Sequence, residues 1–422
     1  MSLIDFLLNR SNSYNYYKFN SQSSKKEIKK LQDKLKVKND LINIYQDHLN
    51  NKSLQLLEYK SKKFNRINIA YVLHQFPVLS QTFVVNEIRW LVENGYNVYV
   101  FSNKPTDKTV KLNFSVKHFK FKNKLDLARL LIDFKIDFMY SHFVYPVCTN
   151  FTYPVGDKLK IPFAVFAHAY DIFVYDNIKR NKISEISKSP YCIAIFTLSN
   201  FHENFLLNLG VRDDKIVITK QASSYTLSSI RQKPKIKNIV SVSRFVEKKG
   251  IDILIDAAKL LEDEDFEFKI YGYGILENEY KKHIKSLNLK NIKLLGELKP
   301  EEVGDKLTES DLLVVPSKLA SNGDMDGFPT IIFEAMACGT LVIATDISAI
   351  PEILKDNVNG FVISPNNSKK LAFKIKEVSK MPVDKLTDIR KEAQKSVVNI
   401  SSTDKTMKTF IKTIKRRLYD VF

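Results

Sequence analysis

From Arg66 onward the chain alternates short apolar runs with stretches in which apolar residues return every three or four positions. "INIAYVL" leads into "TFVVNEIRWLVENG" and then "YNVYVFS"; "IDFMYSH", "FAVFAHAYD", "AIFTLS" and "KIVITK" follow. Short runs rich in β-branched and aromatic residues read as strands and the helical spacing between them as helices, so the pattern predicts βαβ units around a parallel sheet. A polar, proline-bearing segment, "SSYTLSSIRQKPKIK", interrupts the rhythm at 223–237. A second series then begins: "NIVSVSR", "FEFKIYGYG", "NIKLLGE", "DLLVVPS", "TLVIATD" and "GFVIS". The expected fold class is α/β, with two Rossmann-like domains at 65–222 and 236–390 and further helices at 391–422.

Residues 1–64 follow a different pattern. Ile28, Leu35, Ile42, Leu49 and Leu56 recur every seven residues, with Leu31, Tyr45 and Tyr59 on a second row that Lys38 and Lys52 interrupt. This heptad predicts an N-terminal helical extension and leaves three readings open: a helix packed on its own protein, a coil that forms a homodimer through residues 28–59, or a helix lying on a membrane surface.

Charge narrows the ligand classes. The chain has 66 Lys and Arg against 47 Asp and Glu, a net charge of +19, which favours nucleic acid, anionic lipid surfaces or phosphorylated small molecules. No aromatic-interleaved basic patch or reading helix accompanies the charge, so nucleic acid is not an expected partner. The three cysteines, Cys148, Cys192 and Cys338, sit in apolar contexts without paired spacing and read as small core residues in a reducing compartment. No apolar run reaches the roughly 18 residues of a membrane span. A cytoplasmic protein is expected, with the inner face of the membrane as the surface its charge would meet.

Open α/β sheets bind ligands at the carboxyl ends of their strands. There "VSVSR" ends in Arg244, with Lys248 and Lys249 following; a guanidinium fork and an ammonium can bracket a diphosphate, although in so basic a chain a nearby lysine is weak evidence. Gly272 and Gly274 form a GxG without the third glycine of the dinucleotide fingerprint, which suits a tight turn equally well. The stretch "SNGDMDGFPTIIFEAMACG" (321–339) reads as a polar loop followed by a helix with Pro329 at its first position, where free N–H groups favour an anion. Glu334, about 7–8 Å along that helix, and Asp326 before it can hold opposite ends of an extended molecule with an anionic middle. A structural salt bridge for Glu334 and a metal clamp by Asp324 and Asp326 are the competing readings; the clamp lacks further converging oxygens.

Strand-Arg-x4-Lys, GxG and acid-x7-acid together resemble the C-terminal half of family 4 retaining glycosyltransferases, which have the two-domain GT-B architecture with sheets facing across a cleft. "FPVLSQTFVVNEIRWLVENGYNVYV", "YSHF" and "FAHAYDIF" resemble the N-terminal half of the colanic-acid and exopolysaccharide type. The resemblance covers about residues 66–385. It implies that Arg244 and Lys249 neutralise the donor diphosphate, that Glu334 holds the ribose, that Asp326 contacts the transferred sugar, and that backbone around Gly327, Phe328 and Thr330 completes the donor site. It places His168 against donor sugar and acceptor, accompanied by Asp171; Ser80 and His142 are further acceptor-side candidates, although His142 ends an apolar strand and reads equally as a satisfied core residue. The chain departs from the pattern in having Asp326 where Glu is usual, in lacking a glycine pair after the first strand, and in reading Gln221-Ala222 where Asn-Gly is expected.

The activity so implied is sugar transfer, with retention, from a nucleotide diphosphate sugar to a hydroxyl of a glycan or lipid-linked acceptor in cell-surface glycan synthesis. No cofactor or metal is expected. In this architecture the last helix returns to the first domain, and the basic "TFIKTIKRRLYDVF" also suits peripheral membrane contact. Two rivals remain: an inactive relative that assembles through the N-terminal coil, and a basic nucleic-acid-binding protein.

Overall fold

The computed structural model describes residues 67–78, 81–106, 110–220, 225, 227–230, 235–400 and 402–419, with isolated helical positions between 29 and 43. Of the heptad positions, Leu35 is among them, helical and 48 % exposed. The rest of the expected coil, and the homodimer through it, lies outside the described residues.

Seven parallel strands form the first sheet: β1 (Asn68–Leu73), β2 (Asn97–Ser102), β3 (Lys117–Lys120), β4 (Phe138–His142), β5 (Phe163–Phe166), β6 (Cys192–Thr197) and β7 (Ile216–Ile218), in the order β3-β2-β1-β4-β5-β6-β7. Six more form the second: β8 (Asn238–Val242), β9 (Glu267–Tyr271), β10 (Ile292–Leu294), β11 (Leu312–Val315), β12 (Leu341–Thr345) and β13 (Phe361–Ile363), in the order β10-β9-β8-β11-β12-β13. The strands are continuous apolar runs because helices cover both faces; every residue of β4, β5 and β6 is buried. The edge strand β3, "KHFK", falls outside the expected series because its ends face water and its residues are mostly polar.

Strand order reverses between β1 and β4 and again between β8 and β11. A crevice opens at each reversal, because the helices that follow the two strands leave on opposite faces. This places His142, the last residue of β4, Arg244 just after β8 and Ser317 just after β11 at the crevices.

The C-terminal boundary differs from the expected 391. The helix Val383–Ile400 runs through that position without a break, burying Leu386, Ile389, Ala393 and Val397 against the second domain. The chain changes domain between Ile400 and Thr403: the helix Thr403–Tyr419 puts Met407, Phe410, Ile414 and Leu418 into the core of the first. Phe410 lies 4.8 Å from the ring of Tyr140 and 5.2 Å from that of Phe196, so the last helix is part of the first sheet's cover.

Candidate functional site

The exit of β8 is built by backbone pairing with the turn after β9. Gly272 donates to Gly296 O at 2.7 Å and Phe245 to Tyr273 O at 2.6 Å. Both glycines have positive φ, and a Cβ on Gly272 would stand 1.8 Å from Ser243 O, one on Gly274 2.5 Å from Phe245 O. The GxG therefore lets one strand exit cross another and hold Arg244 in place. Arg244 itself is exposed and forms no ion pair among the described residues.

The Asp-Met-Asp loop is tied to the two lysines. Lys249 Nζ lies 2.8 Å from both oxygens of Asp326, and Ser317 donates to Asp326 Oδ2 at 2.5 Å. Lys248 Nζ donates to Asp324 at 2.9 Å, and Lys318 N–H to Lys248 O at 2.8 Å. Burial pushes the Asp326 carboxyl up, but Lys249, Lys248 and Ser317 outweigh it and hold the group below its ordinary range. Each acid of the loop is thus answered by an ammonium.

Beyond the loop, the helix begins at Thr330 rather than at Pro329, which caps it with extended ψ and no side-chain bond. Glu334 is bonded to Thr330 one turn back and is in no ion pair among the described residues, so the structural salt bridge weighed for it is not found there. Burial raises its pKa, offset in part by Thr330. Glu334 and Thr330 line a cavity of about 680 Å³ together with Leu298, Pro300 and, from the first domain, Phe83 and Asn86. Cys148 and Cys192 are core residues, whereas Cys338 is half-buried in this cavity's wall.

Across the cavity, Phe83 belongs to the helix Thr82–Glu93, and its ring lies 5.2 Å from that of His168. His168 is buried between Phe143 and Phe166, and its Nε2 is 3.1 Å from His142 Nδ1. His142 Nε2 is 2.9 Å from Glu87 Oε2, which also accepts from the Tyr71 hydroxyl at 3.3 Å. Burial, then His142 and His202, push the His168 pKa well down. Glu87 and Tyr71 were not among the expected site residues. The available signal was an acid on the apolar stripe Val84, Ile88, Leu91 of an otherwise ordinary helix.

Two acceptor-side expectations fare differently. Ser80 lies outside the described residues. Asp171 is fully buried, accepting from the Val144 amide, and burial pushes its carboxyl up to about 8. It closes the backbone of the first domain instead of facing the cavity.

The Asp-Met-Asp loop also makes the seam between domains. Met325 packs on the first domain's core, Asn322 O accepts from Tyr175 N–H at 3.1 Å, and Glu352 accepts from the amides of Asn200 and Phe201 at the start of a helix. Gly327 abuts Ala169 and His202: a Cβ there would stand 2.7 Å from each. Burial, then Lys220, push His202 down to about 3. Lys220 Nζ lies 4.7 Å from the ring centre of Phe328.

Residues 227–396 match the family described as "Glycosyl transferases group 1". Over 363 residues, 72 % of this chain and 89 % of its relative, the sequence is 26 % identical to the amylovoran biosynthesis glycosyltransferase AmsK of Erwinia amylovora. Over 277 residues, 60 % of this chain and 70 % of the relative, it is 24 % identical to the N,N'-diacetylbacillosaminyl-diphospho-undecaprenol alpha-1,3-N-acetylgalactosaminyltransferase of Campylobacter jejuni. The fold is similar to that of Anabaena HepE, solved in complex with UDP, with a TM-score of 0.67 and 17 % identity over 83 % of this chain and all of that one.

Proposed function

We infer that this chain, a glycosyltransferase whose second domain is of the group 1 type, moves a sugar from a nucleotide diphosphate sugar to a hydroxyl acceptor with retention of configuration, in exopolysaccharide or other cell-surface glycan synthesis. The observation that carries the reading is Glu334: a half-buried carboxylate in no ion pair among the described residues, on a cavity between the domains, one turn into the helix that begins at Thr330. Such a group is costly unless a ligand supplies donors, and ribose hydroxyls are donors of the right kind. HepE, of the same fold, is described with UDP, which supports a nucleotide in this place.

In this reading Arg244 and the helix start at Thr330 take the diphosphate. Lys249 shares its ammonium between Asp326 and the phosphates, and Asp326 touches the sugar. Negative charge developing on the leaving diphosphate is stabilised by these groups without a metal. Phe83 and His168 close the first-domain side, where the acceptor hydroxyl enters.

The reading is tested by thermal shift against UDP, GDP, ADP and their sugars. A ligand that binds only the native state stabilises it by about 2.7 kcal/mol at roughly 100 times Kd, so one nucleotide series should raise the melting temperature. No shift from any of them at millimolar concentration would count against it.

Glu334→Gln provides a second, two-sided test. Because burial raises its folded pKa above the unfolded value, ionised Glu334 costs stability at neutral pH, and that cost falls as pH drops through the folded pKa. The variant should therefore melt higher than wild type at pH 7.5. It should also lose about 10–100-fold in kcat/KM, the range for a hydrogen bond to a charged group.

A lipid-linked acceptor fits the exposed Lys412, Lys415 and Arg416 on the last helix, each contributing about 1 kcal/mol at an anionic surface. The name of the Campylobacter relative includes such an acceptor, a diphospho-undecaprenol. Arg417 does not join them, since it donates to Ile193 O and Lys215 O inside the first domain.

A further inference from the structure

The first-domain histidines end a chain of hydrogen bonds whose direction is set at its far end. Tyr71, Glu87, His142 and His168 are each at most 5 % exposed, so no bulk water competes for their protons. A carboxylate oxygen that carries no proton can only accept. Glu87 Oε2 takes the Tyr71 hydroxyl at 3.3 Å and the Nε2 proton of His142 at 2.9 Å. A neutral His142 with its proton on Nε2 has only a lone pair on Nδ1, which faces His168 Nε2 at 3.1 Å. His168 must then carry its own proton on Nε2, leaving Nδ1, which has no partner among the described residues, as an acceptor.

We propose that Glu87 is a positioning residue: by fixing the proton of His142 it fixes the tautomer of His168, so that His168 keeps an unprotonated Nδ1 able to accept from the acceptor hydroxyl of the proposed transfer. The same order of protons lets a charge that forms on His168 spread toward the Glu87 carboxylate. Orientation of a functional imidazole by a carboxylate at its other nitrogen is a general device; here a second imidazole lies between. Phe83, Phe143 and Phe166 surround His168 and hold its ring. The catalytic consequence rests on the transfer reaction proposed above; the tautomer does not.

The test is long-range proton–nitrogen NMR on the full chain labelled with nitrogen-15 histidine at pH 7.5, with His142→Gln and His168→Gln used to assign the two rings. Both should report a proton on Nε2 and none on Nδ1. Glu87→Gln, which keeps the shape but can donate as well as accept, should shift His168 toward a mixture of tautomers. In a transfer assay it should lower kcat about 10–100-fold with the donor KM within twofold of wild type. A His168 found with its proton on Nδ1, or charged, overturns the proposal, as does a Glu87→Gln enzyme of lowered melting temperature but unchanged kcat. If wild type transfers no sugar, the functional reading falls while the NMR result still decides the relay.

Discussion

Arg244→Ala is expected to cost about 10²–10³-fold in kcat for sugar transfer, the range seen when one fixed donor to a developing oxyanion is removed. The loss should fall on the chemical step, because charge on the diphosphate grows as the glycosidic bond breaks. Folding should be untouched: the side chain is exposed and forms no ion pair among the described residues, so truncation leaves no buried partner behind. The geometry is carried by backbone, through Gly272 and Gly274 against Ser243 and Phe245, and survives the change. Lys at this position should recover only part of the rate, since an ammonium cannot offer the two parallel donors of a guanidinium. A fall of less than threefold in Arg244→Ala, with an unchanged melting curve, would remove Arg244 from the site.

Asp326→Ala has the opposite profile, with the larger effect on stability. Side-chain exposure is 7 % for Asp326 and 16 % for Lys249, so removing the carboxylate strands the Lys249 ammonium in a poorly solvated loop, while Lys248 keeps Asp324 at 2.9 Å. Breaking one side of a buried pair costs about 3–5 kcal/mol. Urea unfolding should show that loss as a lower midpoint at nearly unchanged slope. Asp326 also contributes to acid sensitivity. Its folded pKa is depressed, so its stabilisation is complete above the ordinary carboxylate range and is lost as pH falls through the folded value. The difference between wild type and Asp326→Ala should accordingly shrink below about pH 4. An equal midpoint for the two proteins at pH 7.5 would show that the Lys249–Asp326 pair contributes nothing net. Activity should fall as well, because the loop that carries Asp326 also carries Gly327 and Phe328.

How much of this was legible beforehand varies with the kind of signal. Strands such as "IDFMYSH" and "DLLVVPS" were readable because a strand covered on both faces must be apolar throughout, and that demand leaves a local mark. The edge strand "KHFK" leaves none. Arg244, Lys249, Asp326 and Glu334 were candidates through type and spacing, yet spacing could not tell that Lys249 would spend its charge on Asp326 while Arg244 stayed open. The resemblance put Asp171 on the acceptor side beside His168, but in the helix that follows its carboxyl turns inward to the backbone amides of Val144 and His168. Glu87 was passed over for the converse reason. Its partners Tyr71 and His142 are 16 and 55 residues distant, and no local pattern encodes a hydrogen bond across strands.

By itself the order of apolar runs determined two consecutive parallel-sheet domains, and the residues at their strand ends determined a chemistry of cations, a helix start and an isolated carboxylate. Both follow from short-range rules: side-chain period, turn residues and what a strand buried on two faces must contain. Tertiary structure alone decided which cation is paired, that the chain leaves the second domain only after Ile400, and that Met325 and Gly327 seat the Asp-Met-Asp loop on the first domain. It also decided that Glu87, His142 and His168 lie in one line. Those outcomes depend on distances between residues far apart in the chain, where burial makes each polar group find a partner wherever the packing brings one.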